Sequence, residues 1–152
     1  MSKDTPSDPR SALPASRYSD WHGRAAPTLA DFEEIAAAAW QRLPDVFREQ
    51  ASDVRIAVED FATDDVLQAL GLESPYELLG LYHGVSLNHR SVMDLPRQPD
   101  MVFLYRRAIL EQWAESGESL GDLITHVLVH EIGHHFGFSD DDMHNIEASN
   151  DV

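Results

Sequence analysis

The residues best suited to chemistry lie in one stretch near the C-terminus, VHEIGHHFGFSDDDMH, which covers residues 129–144 and holds four of the eight histidines. Within it, His130 and His134 are four residues apart. In a helix this spacing stacks two side chains on one face, about one turn apart. Two imidazoles placed in this way can bind one small cation, and Zn²⁺ is the ion that they suit best. The spacing therefore predicts a zinc site on a helix.

Glu131 follows the first histidine directly and lies about 100° round the helix from it. We expect its carboxylate beside the metal, where it could accept a hydrogen bond from a zinc-bound water and take its proton. Zinc lowers the pKa of bound water to about 7, which produces a nucleophile at neutral pH. This H-E-x-x-H pattern predicts Glu131 as a catalytic general base. The structural alternative is a set of core or rim histidines whose partners are backbone and water.

A catalytic zinc site needs a third protein ligand, which must be His, Asp or Glu because the chain has no cysteine. Gly137 follows His134 by three residues and can adopt a positive φ, which lets the chain turn back toward the metal. Asp140 comes three residues later and is the favoured third ligand. His144, one turn further on the same face of a final helix, is the alternative. The acidic residues 140–142 also suit the first turn of a helix without any metal.

His126 lies four residues before His130, on the same face of the helix. It could itself be a ligand. We expect it to support the ligands or to lie in the core, because the turn at Gly137 already provides a complete set.

Two helix-start signals frame this region. Ser119 with Asp122 forms a capping-box pattern that begins the longest predicted helix, which runs to about Phe136. Ser139 with Asp142 begins a short final helix in the same way. The long helix is apolar almost all round before His130, which predicts that it is central in the fold.

The rest of the chain predicts an α+β domain with a small sheet of three or four strands packed on helices. Thr28 and Asp31 form a third capping-box pattern, and Pro44 ends the helix that they begin. The predicted elements in chain order are helices 28–43 and 45–50, strand 54–59, helix 63–70, strand 78–84, a loop 85–100, strand 101–105 and helix 107–116.

Length and composition limit the classes of function. With 152 residues the chain is most simply one domain, with residues 1–27 as a disordered arm and 28–152 as the folded part. A net charge of −16 argues against nucleic acid as a partner, and favours solubility or attraction of cations and basic substrates. No apolar run is long enough for a membrane span or a signal peptide, so we expect a cytoplasmic protein with no membrane partner.

Three segments, HEIGHHFGFSDDDMH, LLGLYHGVSL and VFLYRRAILE, resemble the small zincin-like metallopeptidases of bacteria, also called minimal zincins. The similarity covers roughly residues 29–147. It implies a compact zincin core with a zinc helix beneath a small sheet, zinc on His130 and His134, and a catalytic Glu131, but no defined substrate. The extension to Asp140 also resembles metzincins that use aspartate as their third ligand. Only eight residues follow His144, so we expect no separate methionine-containing turn.

These observations favour a zinc-dependent metallopeptidase-like hydrolase that acts on a peptide or protein substrate. An edge strand, either 101–105 or 78–84, could hold an extended substrate by strand addition. The first alternative is a non-catalytic zinc-binding or protein-interaction module on the same scaffold. The second is an interaction protein without metal, in which the acidic surface is the functional part. The sequence leaves the substrate and the oligomeric state open.

Overall fold

The computed structural model describes residues 21–84 and 99–150. Most of the predicted N-terminal arm and residues 85–98 of the predicted loop lie outside the described residues. The disordered arm and the loop therefore stay predictions.

The first two helices follow the sequence signals closely. Helix α1 spans Leu29–Arg42, and helix α2 spans Asp45–Gln50. The Thr28 hydroxyl accepts a hydrogen bond from the Asp31 backbone N–H, and the Asp31 carboxylate accepts one from the Thr28 N–H at 2.8 Å. Each bond satisfies a backbone donor that the first turn of a helix leaves without a partner. The predicted capping box is therefore confirmed.

The described strands form one mixed sheet in the order β1-β3-β2. Strand β1 spans Val54–Glu59, β2 spans Gly80–His83 and β3 spans Asp100–Tyr105. Strand β1 runs parallel to β3, and β2 runs antiparallel to it. Strand β3 is therefore central, and the prediction that 101–105 could be a substrate-binding edge is wrong. The edge beside the histidine helix is β2.

The remaining helices complete the predicted α+β architecture. They are α3 at Asp64–Ala69, a 3₁₀ turn at Pro75–Glu77, α4 at Arg106–Ser116, α5 at Leu120–His135 and α6 at Asp140–Asn150. Gly137 has a φ of +77°, in the left-handed region that favours glycine, so the chain leaves α5 sharply as predicted. Both Ser139 and Asp142 make the reciprocal bonds of a capping box, which confirms the start of α6.

Helix α5 is the centre of the core. It packs against α1, the sheet, α4 and α6. Its buried side chains are Leu123, Ile124, Thr125, Val127, Leu128, Val129 and Ile132. Each fully buried aliphatic side chain contributes about 1.5–3 kcal/mol of transfer free energy, so the core fixes this helix firmly and with it the residues that it carries. Among the described residues, no helix has the length and apolar character needed to span a bilayer.

Candidate metal centre

Three histidines form a stripe along α5, at positions 126, 130 and 134. The ring centroids of His126 and His130 are 4.0 Å apart, and those of His130 and His134 are 5.7 Å apart. The stripe lies at the margin of the core, since the His126 side chain is 49% exposed and that of His130 is 30% exposed. The prediction that His126 lies in the core is therefore wrong. The other prediction, that it supports the metal ligands, stays a prediction. The stacking of His130 and His134 on one face agrees with their helical spacing.

Helix α6 brings a carboxylate to this stripe. The Glu147 Oε1 atom lies 2.7 Å from His126 Nδ1 and 3.7 Å from His130 Nε2. One ligand atom from each of these residues lies within 4.8 Å of the others. In the described part of the chain this is the one group of three or more potential metal ligands that converges so closely.

The close packing of α6 on α5 explains how Glu147 reaches the stripe. Gly133 on α5 faces Met143 on α6, which is fully buried. A Cβ atom added at Gly133 would lie 2.5 Å from the Met143 sulfur, far inside van der Waals contact. The glycine therefore lets the two helices approach, and Glu147, one turn beyond Met143, meets the histidines.

The Glu147 carboxylate provides a test of whether the site suits a cation. Its Oε1 atom is buried and has no hydrogen-bond partner among the described residues, and its near neighbour His126 Nδ1 is charged only when that histidine is protonated. Burying a carboxylate oxygen without a partner is costly, and a cation would compensate for it. Two imidazoles and a carboxylate are also a donor set that zinc accepts. The residues present therefore fit a metal ion.

A pocket of about 220 Å³ opens beside this group. Its lining includes His126 and Glu147 together with Glu118, Asp122 and His144. The carboxylates make the pocket acidic, which favours the entry of cations from solvent.

Glu131 lies against the sheet, where β2 approaches α5 closely. A Cβ atom added at Gly80 would lie 2.7 Å from Val127 Cγ1 and 3.4 Å from Glu131 Cγ. The backbone N–H of Tyr82 donates a hydrogen bond to the Glu131 carboxylate. Burial raises the pKa of Glu131, while this hydrogen bond and the nearby His134 act in the opposite direction. A carboxylate with a raised pKa is a better proton acceptor, which is the property a general base needs.

Burial also sets the protonation of the central histidine. It lowers the pKa of His130, and His126 lowers it further, while Glu147 acts in the opposite direction. The imidazole is therefore biased toward its neutral form, which is the form that binds metal.

A second cluster holds β2 in place at the end of α5. The rings of Tyr82 and His135 stack with centroids 3.8 Å apart. The Tyr82 hydroxyl donates a hydrogen bond of 2.7 Å to Asp100, which starts β3. These contacts fix the strand whose backbone orients Glu131.

The structure brings together part of the site predicted from sequence. His130 and His134 are neighbours, and Glu131 lies beside them. Asp140 begins α6 as an exposed residue and is not a member of the convergent group. The third-ligand prediction for Asp140 thus stays a prediction. So does the alternative, His144, which is exposed on the wall of the pocket.

Glu147 was missed by the sequence analysis. Its only signal is that it lies seven residues, or two helical turns, after Asp140 and therefore on the same face of α6. The spacing within the histidine motif carries no information about this residue, because its contact depends on how α6 packs back on α5.

Comparison with known proteins gives one family. A sequence model of zincin-like metallopeptidases matches residues 51–149. The match includes all three described strands, helices α3 to α5 and α6 up to residue 149, but begins after α1 and α2, whose Phe32, Ala36 and Phe47 are part of the same core. No curated protein matches the chain.

Proposed function

Because the chain belongs to the zincin-like metallopeptidase family, we propose that it is a zinc-dependent peptidase-like hydrolase in which Glu131 is the general base. The observation that carries this proposal is the position of Glu131. Its carboxylate is half-buried, receives a hydrogen bond from the β2 backbone, and follows directly a histidine of the metal-binding pair.

We assign zinc to His130 and His134, with Asp140 as the third ligand. When bound, zinc would lower the pKa of water and polarise a substrate carbonyl. The turn at Gly137 supports Asp140, since it directs the chain from the end of α5 back into α6. The −16 charge of the chain and the acidic pocket support a preference for cations and basic peptides.

Glu131 would carry the proton during hydrolysis. Its carboxylate accepts a proton from the attacking water as the water oxygen bonds to the peptide carbon. It then donates that proton to the leaving amine as the C–N bond breaks. The Tyr82 backbone N–H and the burial of the side chain fix the carboxylate in one orientation, which suits a group that must accept and return one proton.

Strand β2 is the favoured platform for the substrate. It pairs with β3 along one side and forms an edge of the described sheet, and an extended peptide can add to such an edge through backbone hydrogen bonds. The stacking of Tyr82 on His135 and its hydrogen bond to Asp100 hold this edge rigid beside Glu131.

Replacing Glu131 by Gln tests the proposal. We expect the variant to bind zinc as the wild type does but to hydrolyse a peptide library at least about a hundredfold more slowly, because general-base catalysis contributes about 10²–10⁴-fold. Zinc content is measured by mass spectrometry and turnover by fluorescent peptide cleavage, with and without chelator. Glu111→Gln, on an exposed position of α4, is the matched control and should retain both properties. Retained turnover in Glu131→Gln would contradict the assignment.

A non-catalytic zinc-binding module is the second candidate. It is favoured by the convergence of His126, His130 and Glu147 between α5 and α6, where a metal ion would tie two helices together. In that case chelation would lower the melting temperature of the protein, and no peptide in the library would be cleaved in the presence of zinc.

A further inference from the structure

We propose that His126, His130 and Glu147 form a second coordination set for the same metal ion, which excludes binding at His130 and His134 and holds the ion away from Glu131. The contacts of these three residues support the coordination set by themselves. Its consequence, a metal-loaded but inactive form, rests on the proposed peptidase function.

The contacts define a site of three ligands from two helices. Glu147 Oε1 lies 2.7 Å from His126 Nδ1 and 3.7 Å from His130 Nε2. This oxygen is buried and has no hydrogen-bond partner among the residues that the structure describes. A cation bound by the three atoms would compensate the charge of this buried oxygen, and two imidazoles with one carboxylate leave a fourth position for water.

The two coordination sets cannot hold an ion at the same time, because both use His130. The nitrogen that faces Glu147 is Nε2, the outer nitrogen of the ring. An ion in the second set occupies this nitrogen and withdraws it from the pair with His134. The chain should therefore bind one ion in this region at a time, in one of two positions.

The second position lies on the side of α5 that faces away from the general base. In an α-helix, Glu131 lies about 60° round the axis from residue 134, about 100° from residue 130 and about 140° from residue 126. It also lies on the β2 side of α5, where the Tyr82 N–H holds it. An ion drawn toward His126 and Glu147 lies on the α6 side, which directs a water bound there away from the Glu131 carboxylate.

Solvent has direct access to the second position. His126 and Glu147 both line the acidic pocket of about 220 Å³ between α5 and α6. The His126 side chain is 49% exposed, so an ion can exchange without any opening of the core. We infer that the pocket is an entry and holding point for the metal.

Co²⁺ binding to the full-length His134→Ala variant tests the coordination set, because this substitution removes the H-E-x-x-H pair. Binding is followed by calorimetry and by the visible absorption of Co²⁺. We expect one ion per chain. Adding His126→Ala or Glu147→Gln should weaken Co²⁺ binding by about tenfold or more. Even the loss of a residue that only positions a metal ligand typically lowers metal affinity by about 10–100-fold. Adding Glu111→Gln, on an exposed position of α4 outside this pocket, should leave affinity within about twofold.

Two results would overturn the coordination set. One is the absence of stoichiometric binding in His134→Ala. The other is equal affinity in the variants with and without His126 and Glu147, given circular dichroism spectra that show each variant folded. If the wild type bound two ions at His126, His130, His134 and Glu147, the two coordination sets would not exclude each other.

The inhibitory consequence has its own readout. At limiting zinc, His126→Ala should raise peptide cleavage by the otherwise unchanged protein, because the ion then occupies the position beside Glu131. Unchanged or lower cleavage would overturn this consequence. If the wild type cleaves no peptide in any metal state, the peptidase proposal fails while the Co²⁺ result still decides the coordination set.

Discussion

Helix α5 contacts its two functional neighbours in different ways. Toward β2, the obstacles to a Cβ atom at Gly80 are the branched Val127 side chain and the Phe103 carbonyl oxygen. Toward α6, the obstacle at Gly133 is the flexible side chain of Met143, and a pocket of about 220 Å³ opens further along. The sheet side is therefore stiff and the α6 side is adaptable. This difference suits a site in which the base is fixed and the metal ligands can rearrange.

Among the tests of this contrast, Gly80→Ala should have the largest effect on stability. The new methyl group would meet Val127 Cγ1 at 2.7 Å, on a β-branched side chain with few rotamers in a helix, and the Phe103 carbonyl oxygen of the backbone at 3.0 Å. We expect the free energy of unfolding to fall by about 1–3 kcal/mol, as for other overpacked sites. Urea unfolding measures it.

A double-mutant cycle shows whether the close approach is the cause. Gly80→Ala combined with Val127→Ala should lose less stability than the sum of the two single variants, because the second change removes the obstructing methyl group. Additive losses would mean that α5 and β2 are not stiffly coupled at this point.

The alkaline stability of the protein reports on the second buried cluster, which contains Ala62, Leu67, Tyr105 and Ala108. Burial, with the carboxylates of Glu59 and Glu131 adding to it, raises the pKa of Tyr105 to about 12. An unfolded tyrosine ionises near pH 10, so the folded state binds the proton more tightly. The contribution of Tyr105 to the free energy of unfolding is therefore fully present below pH 10, and it is lost as the pH rises through 12. At pH 11 the free energy of unfolding of the wild type should be lower than at pH 9 by on the order of 1 kcal/mol.

Tyr105→Phe is the control for this pH dependence. It removes the titrating hydroxyl, so its unfolding free energy should decline less between pH 9 and 11 than that of the wild type. Identical pH profiles for the two proteins would show that burial with Ala62, Leu67 and Ala108 does not protect the phenol of Tyr105.

Gly133→Ala probes the adaptable side and should have the smallest effect. The methyl group would meet the flexible Met143 side chain, which must shift within the core, while alanine gains up to about 1 kcal/mol of helix propensity over glycine. We expect a net loss of about 0.5 kcal/mol by thermal or urea unfolding. Gly121→Ala on the same helix, where the Cβ atom would meet nothing within 4 Å, should be neutral or stabilising. A loss at Gly133 larger than that at Gly80 would reverse the comparison.

Local signals predicted most of the secondary structure. Thr28, Ser119 and Ser139 accept the bonds from the helix starts that their sequence patterns indicate. Capping depends on residues three positions apart, so one sequence contains all the information that it needs. The apolar character of α5 likewise predicted its central position, because such a helix is stable only when buried.

Strand order could not be predicted in the same way. Strand β3 is apolar whether it lies at an edge or in the centre, and its central position follows from pairing with both β1 and β2. The two partners are distant in sequence, and their registers are set by tertiary packing.

The sequence by itself determined the histidine stripe, the adjacent glutamate and the helix that carries them, because helical periodicity places residues four apart on one face. Only the tertiary structure decided which groups meet that stripe. Glu147 reaches His126 and His130 because Gly133 lets α6 pack closely on α5, and Tyr82 reaches Glu131 because Gly80 lets β2 do the same. Contacts of this kind join segments whose separation in the chain says nothing about their distance in space.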